Sequence, residues 1–407
     1  MMTKLDNQYI DWIADEIKHI CLTYKEREAG SESERACGDY MANQMSQWSD
    51  SVVKEDFTVH PRAFIGSWTL QALCGIFSII CYIVSVWLSL TWLTVLSVIF
   101  VLVSLASYVF EHALYRQFMD FLYPKYMSQN VMAVRKAEKE TKQRIIICGH
   151  ADAAYDMPLM QKTNAATILV MTLTAVLGYF FCLIIGLLTI FANLPQQLII
   201  ALCGFLGVLV IPLVFFLFFV DWKTVVDGAN DNLTGCALGM SILKEMAEQN
   251  QRFTHTDVCC LVTGGEESGL RGAFAYAKKH KQELLDKNSI VIAVDTIHEK
   301  DQLMVYPRGI YFTQKNSETV CDLLRAAGEE CGVALPDAGF YPGATDAEAF
   351  SRNGIKASAL CAVRHTPASY YHTITDTWDN LNKDCLALAR DILKTSIRLF
   401  DAGKRTG

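Results

Sequence analysis

Two long stretches of this 407-residue chain contain no acidic, basic or histidine residue: Ala63 to Phe110 and Thr163 to Val220. Hydrophobic runs of this length rarely stay in water. One bilayer crossing needs about 20 apolar residues, so each stretch is long enough to cross twice. Polar breaks at Ser89-Leu90-Thr91 and Asn193-Leu194-Pro195-Gln196-Gln197 divide them, which reads as two transmembrane hairpins with four spans. The lack of ionisable residues inside those spans also leaves no ion path or coupling residue, which argues against a transporter or channel.

Other absences narrow the field further. The fourteen cysteines have no repeated spacing, and several fall in strands or apolar stretches (Cys74, Cys81, Cys148, Cys203), so buried reduced thiols are expected rather than a disulfide framework. The net charge of −7 comes without any basic stripe interleaved with aromatics, so no nucleic-acid partner is expected. Internal repeats, low-complexity runs and long Pro/Gly linkers are missing. Met1 to Tyr24 carries charges throughout and does not read as a signal peptide; Ile10, Ile13, Ile17 and Ile20 recur instead at the spacing of an amphipathic surface helix.

What is present is a hydrophobic content of 52% and a mean hydropathy of +0.21, concentrated in the two stretches. Arg62, Arg116, Lys125, Lys162 and Lys223 flank them on the side of the charged remainder, while the two opposite turns hold no Lys or Arg. The positive-inside rule then makes the lipid bilayer a partner and places the remainder in the cytoplasm. The expected organisation is residues 1–62, 116–162 and 221–407 as one water-soluble domain, interrupted by hairpins at 63–115 and 163–220.

Within the soluble pieces, strands are expected at Ser51 to Val59, Asn130 to Arg135, Arg144 to Gly149, Asp257 to Thr263, Ser289 to Val294 and Lys356 to Val363. Helical patterns cover Glu34 to Trp48, Leu233 to Glu248, Leu270 to His280, Ser317 to Cys331 and Leu381 to Phe400. Such alternation predicts an α/β fold with a mostly parallel sheet covered by helices on both faces, where ligands bind beyond the carboxyl ends of the strands. That edge is where Gly149-His150-Ala151-Asp152, Gly264-Gly265-Glu266-Glu267 and Asp295 fall. Imidazole and carboxylate ligands converging from several strand ends are what two neighbouring zinc ions require.

The set GHAD, GANDN, GGEESGLRGA, VDT and YYHTITDTWDN, in that order, resembles the two-zinc aminopeptidases of metallopeptidase family twenty-eight, relatives of bacterial leucyl aminopeptidases, glutamate carboxypeptidase and glutaminyl cyclase. Arg27 to Tyr40 also resembles the family's N-terminal region. The resemblance implies a zinc-exopeptidase fold and two zinc ions per chain. It assigns His150, Asp231 and Asp295 to one ion and Asp231, Glu267 and His372 to the other, with Glu266 as general base and Asp152 orienting His150 from behind. Thr345-Asp346 resembles the family's Ser-Asp turn with Thr in place of Ser, which makes Asp346 and Tyr341 candidate substrate-side residues.

Each assignment has a plainer rival. Asp231 at the mouth of a helix could be only its N-cap, Asp376 reads as the N-cap of the last helix, and His365 competes with His372. The second apolar stretch lies between His150 and Asp231, which favours apolar or membrane-proximal peptide substrates. The expected activity is that of a membrane-bound aminopeptidase; an inactive scaffold or receptor on the same fold, or a single-zinc glutaminyl cyclase, are the alternatives. No oligomeric state follows from the sequence.

Overall fold

A computed structural model describes residues 4–192, 194–309, 314–338, 344–364 and 370–403. Tyr341 and His365 lie outside the described residues. The chain divides into two units, Met1–Pro61 with Lys125–Asp156 and Trp222–Gly407, and Arg62–Pro124 with Met157–Asp221.

Among the described residues the first unit is built on nine strands: β1 (Ser51–Val59), β2 (Tyr126–Arg135), β3 (Gln143–His150), β4 (Tyr155–Asp156), β5 (Asp221–Val225), β6 (Thr256–Thr263), β7 (Ser289–Ile297), β8 (Leu303–Val305) and β9 (Lys356–Ala362). Seven form one sheet in the order β1-β2-β6-β3-β7-β9-β8, while β4 and β5 make a separate ribbon. The four central strands β6, β3, β7 and β9 run parallel, and β1, β2 and β8 add antiparallel edges. The central strands are almost continuously buried, as expected where helices cover both faces of a parallel sheet.

Alternation along β3 separates the two faces. Ile145 and Ile147 join the main core with Ile10, Ile13, Ile17 and Ile20 of helix Lys4–Thr23, Met41 and Met45 of helix Glu32–Ser46, and the apolar stripes of helices Thr234–Glu248, Glu318–Glu330 and Lys383–Asp401. Ile146 and Cys148, equally buried, face the other way. Short elements that periodicity did not announce are the β4–β5 ribbon, β8 and helix Asp346–Arg352. All fourteen cysteines are unpaired.

The second unit contains four helical spans long and apolar enough to cross a membrane: Ala63–Leu88, Thr91–Ala113, Ala166–Phe191 and Gln196–Leu217. The first ends at Ser89, in the left-handed region (φ 55°). The last is broken at Leu209; Pro212 just beyond cannot donate to the Val208 carbonyl, which explains the break. Side-chain hydrogen bonds join the first two spans from within: Ser78 to Ser97 at 3.0 Å, Ser85 to Thr94 at 2.5 Å and Gln71 Nε2 to Ser107 at 3.0 Å. The second span runs past Phe110 into a π-helical turn, Tyr108–Ala113, so it includes Glu111 and His112, both buried. Span boundaries therefore reach beyond the uncharged stretch, and His112 Nε2 meets Ser67 Oγ at 2.6 Å.

Candidate active site

The parallel strands end on one edge of the sheet, and the chemistry collects there. His150 is the last residue of β3, in register with Thr263 at the end of β6, after which Gly264 and Gly265 lead to Glu266 and Glu267. Asp295 sits near the end of β7, where the register with β9 slips between Asp295 and Ile297 and Thr296 takes a left-handed φ of 53°. Such a bulge re-aims a side chain beside a site. Gly149 is required by a close approach: a Cβ there would lie 2.6 Å from Cys236 N, at the start of helix Thr234–Glu248. That contact brings the Gly228 to Asn232 turn against His150.

Asp231 lies between the two histidines. One oxygen is 3.2 Å from His150 Nε2, and the other is 3.1 Å from His372 Nε2. His372 Nε2 is also 3.3 Å from Glu267 Oε1, while His150 Nε2 has Glu266 Oε2 at 3.8 Å and Asp295 Oδ1 at 4.0 Å. Donor atoms about 2.1 Å from a shared tetrahedral ion stand roughly 3.4 Å apart, so the tighter of these spacings suit zinc. Glu266 groups with His150 and Asp295 as closely as Asp231 and Glu267 do.

The residues fit a metal on two further observations. Glu267 Oε1 is buried without a hydrogen bond of acceptable geometry. Six buried or nearly buried carboxylates (Asp152, Asp231, Glu266, Glu267, Asp295 and Asp346) surround two imidazoles, an excess of negative charge that divalent cations would balance.

The proton affinities express that crowding. Burial, with Glu267, Asp295 and Asp346, raises the Glu266 carboxyl well above its usual range, although His150 opposes it. Burial and Asp231 push Asp295 up to about 7. Burial acts the same way on Asp231, but hydrogen bonds from His150 and His372 win and hold it below the usual carboxylate range. His372 is raised to about 10: burial works against the charged ring, but Glu267 and Asp231 outweigh it.

Asp152 stands behind the His150 ring, with both its backbone carbonyl and its carboxylate within reach of Nδ1. The nearest acceptor for His150 Nδ1 is the backbone carbonyl of Asp152 at 3.1 Å, with the carboxylate at 3.5 Å. With a metal in place of the Nε2 proton, donation from Nδ1 would hold the tautomer that a metal ligand needs. The Asp152 carboxylate also accepts the backbone N–H groups of Glu266 and Glu267, both at 3.0 Å.

Both capping expectations are corrected. The helix after the Gly228 to Asn232 turn begins at Thr234, and Asn232 Oδ1 accepts from Gly235 N at 3.1 Å, so Asp231 caps nothing. The last helix is capped by Asn382, whose side chain accepts from Cys385 N. Asp376 is buried instead against the metal turn, accepting from Asn230 N, Asn230 Nδ2 and Asp231 N. Asp346 opens helix Asp346–Arg352, where its Oδ2 accepts from Thr263 Oγ1 at 2.5 Å and from Cys148 Sγ at 3.5 Å. Sequence reasoning missed Arg27 and Glu34 as contributors to this region. The Ser31-x-x-Glu34 capping-box spacing was the available signal for Glu34.

The family model described as Peptidase family M28 matches residues 218–397. It takes in Asp231, Glu266, Glu267, Asp295 and His372 and stops short of His150, which the sheet supplies. The motif resemblance thus holds. The fold is similar to that of an aminopeptidase from Aneurinibacillus sp. strain AM-1, with 16% identity, 97% of this chain and 95% of that chain covered, and a TM-score of 0.56. A zinc aminopeptidase from Bacillus subtilis gives 12%, 95%, 94% and 0.56 for the same measures. A glutaminyl cyclase from Bacteroides thetaiotaomicron gives 12%, 95%, 97% and 0.55. No curated protein sequence matches the chain. At these identities the structures establish the zinc-exopeptidase fold alone.

Proposed function

We propose that this chain is a membrane-anchored aminopeptidase using two zinc ions. The observation that carries the reading is Asp231, one oxygen toward His150 and the other toward His372. His150, Asp231 and Asp295 would hold one ion; Asp231, Glu267 and His372 would hold the other. Zinc bound there supplies Lewis acidity and lowers the pKa of a bound water toward neutrality.

The chain's own part is then proton transfer and positioning. Glu266, 3.8 Å from His150 Nε2, is not among the ligands of this assignment and would take the proton of the attacking water and deliver it to the leaving amine. Asp152 fixes the two amides that aim Glu266 and Glu267. Asp346, next to Thr263 at the end of β6, is placed on the substrate side.

A glutaminyl cyclase using one zinc is the competing activity, because enzymes of that title share the fold. The presence of both histidines about Asp231 favours two ions. We assign the peptidase domain to the cytoplasm from the flanking cations, and apolar or membrane-proximal peptides as substrates from the apolar insertion between His150 and Asp231. Detergent-purified protein presented with a peptide library, with and without chelator, tests the reading. Chelator-sensitive release of amino-terminal residues is expected. Cyclisation of amino-terminal glutamine without peptide cleavage, or no turnover by zinc-loaded protein, overturns it.

A further inference from the structure

Two ionisable side chains from one short segment are buried without an opposite charge bonded to them. Arg27 is 1% exposed, and its guanidinium donates to the carbonyls of Tyr24 at 3.1 Å, Ala151 at 2.8 Å and Asp227 at 2.6 Å. Glu34, also 1% exposed, accepts from Gly30 N at 2.6 Å, Ser128 Oγ at 2.9 Å and Gly265 N at 3.0 Å. Burying a charge that is not paired is costly, and a hydrophobic core has no need of it. The buried Arg390, by contrast, bonds to the Glu245 carboxylate at 2.5 Å and is an ordinary internal ion pair.

The partners of Arg27 and Glu34 share a place. Ala151 lies between His150 and Asp152, Asp227 opens the turn that carries Asp231, and Gly265 precedes Glu266 and Glu267. With Asp152 holding the next two amides, N–H groups 265, 266 and 267 each end on a carboxylate. Gly265 has φ 61°, in the left-handed region that favours glycine, so the chain turns there on its way to Glu266 and Glu267. The chain between Ala153 and Val226 contains the whole second apolar stretch, so the two loops Arg27 joins are separated by a long insertion whose closure costs entropy. Arg27 closes that gap from both sides, since Ala153 N also donates to the Arg27 carbonyl at 2.9 Å.

We propose that the segment Arg27 to Glu34 is a positioning brace: Arg27 fixes the distance between the His150 and Asp231 ligands, and Glu34 aims the Glu266-Glu267 loop. The inference rests on the two-zinc reading given above. The brace separates two effects. Loss of the Arg27 fork loosens the ligand pair and weakens metal binding, whereas loss of Glu34 misaims the base and slows turnover with metal and substrate still bound.

The test uses full-length, zinc-loaded protein in detergent. Arg27→Lys keeps the charge but cannot fork to both carbonyls, and zinc affinity should fall about 10- to 100-fold. Glu34→Gln should lower kcat by about 10²-fold with KM and zinc content unchanged, because it leaves a side-chain N–H group facing one of the backbone donors. Ser128→Ala removes one donor to Glu34 and should lower kcat in the same way, less severely; it decides the matter if Glu34→Gln does not fold. Variants that lose only thermal stability, with zinc affinity, KM and kcat of the folded protein at wild-type values, overturn the brace. A wild type that binds no zinc overturns the functional reading along with it, whereas a wild type that binds zinc and cleaves peptides beside unaffected variants sinks the brace alone.

Discussion

Asp376 Oδ2 accepts the backbone N–H of Asp231 at 3.1 Å. The peptide of Asp231, which faces both His150 and His372, is thus tied from behind by a side chain from the loop of His372. Asp376→Asn keeps the shape but must present an N–H group to one of the donors it now accepts. Zinc affinity should fall about 10- to 100-fold, and zinc titration of the purified variant would show it. Wild-type affinity would make Asp376 a spectator.

The two carboxylates at the centre differ in what their loss should do. Asp231→Ala is expected to lose most of both ions, whereas Asp295→Ala should lose one, because Asp231 has one oxygen within 3.2 Å of His150 and the other within 3.1 Å of His372, while Asp295 pairs with His150. Metal analysis after dialysis distinguishes them. One tightly held zinc surviving in Asp231→Ala would count against a shared ligand.

How much of this could be read beforehand depended on the kind of signal. His150, Glu266, Glu267 and Asp295 were legible because they lie at or just after strand ends, which fall on one edge whatever the loop details, whereas Asp231 and His372 sit in turns and were found by the motif resemblance. Asp376 was found as a residue but given the wrong partner: a short acidic side chain near a helix start reads as its cap, while folding supplied the amides of Asn230 and Asp231, far along the chain. Asp152 was read behind His150, and its bonds to the Glu266 and Glu267 amides went unread. Arg27 went unread as a site residue because its partners are backbone carbonyls of separate loops, which leave no mark on composition or spacing; the capping-box spacing of Glu34 marked a helix start and not its bonds to Ser128 and Gly265. The helix of the second span continues through Glu111 and His112, inside the expected 63–115 hairpin but past the uncharged run, with both side chains buried.

Glu266→Gln retains size and removes the capacity to carry a proton. Turnover should drop by roughly 10²- to 10⁴-fold with zinc content intact. Steady-state rates set beside metal analysis of one preparation would check this, and unchanged turnover would remove Glu266 from the reaction.

Away from the site, Asp50 accepts Arg252 Nη1 at 2.7 Å and Nη2 at 2.8 Å, and Lys136 N at 2.7 Å, which together hold its carboxyl down at about 2, with burial opposing. A depressed folded pKa means the contribution is full above the unfolded value of about 3.9 and is lost as pH falls through about 2. Asp50→Asn should therefore destabilise the soluble unit by on the order of 1 kcal/mol at neutral pH, a modest figure because the pair is partly exposed. The difference should shrink as the pH approaches 2. Thermal unfolding of wild type and variant across pH 2 to 7 gives the comparison, and a difference that persists undiminished at low pH would show that the ion pair is not its source.

Topology is the last expectation, and the cysteine inventory makes it testable. The fourteen native thiols are buried or partly buried, which keeps the background of a membrane-impermeant thiol reagent low. Gln196 starts the last span next to the turn that has no Lys or Arg, and Lys279 is a largely exposed position on helix Arg271–Lys279 of the peptidase unit. Because the flanking cations lie on the other side of each hairpin, Gln196→Cys should label from outside intact cells, and Lys279→Cys only after permeabilisation. The reverse pattern would place the peptidase unit outside the cytoplasm. The metal chemistry would stand in either case, because an even number of spans returns the chain to the side it left, and both hairpins would invert together.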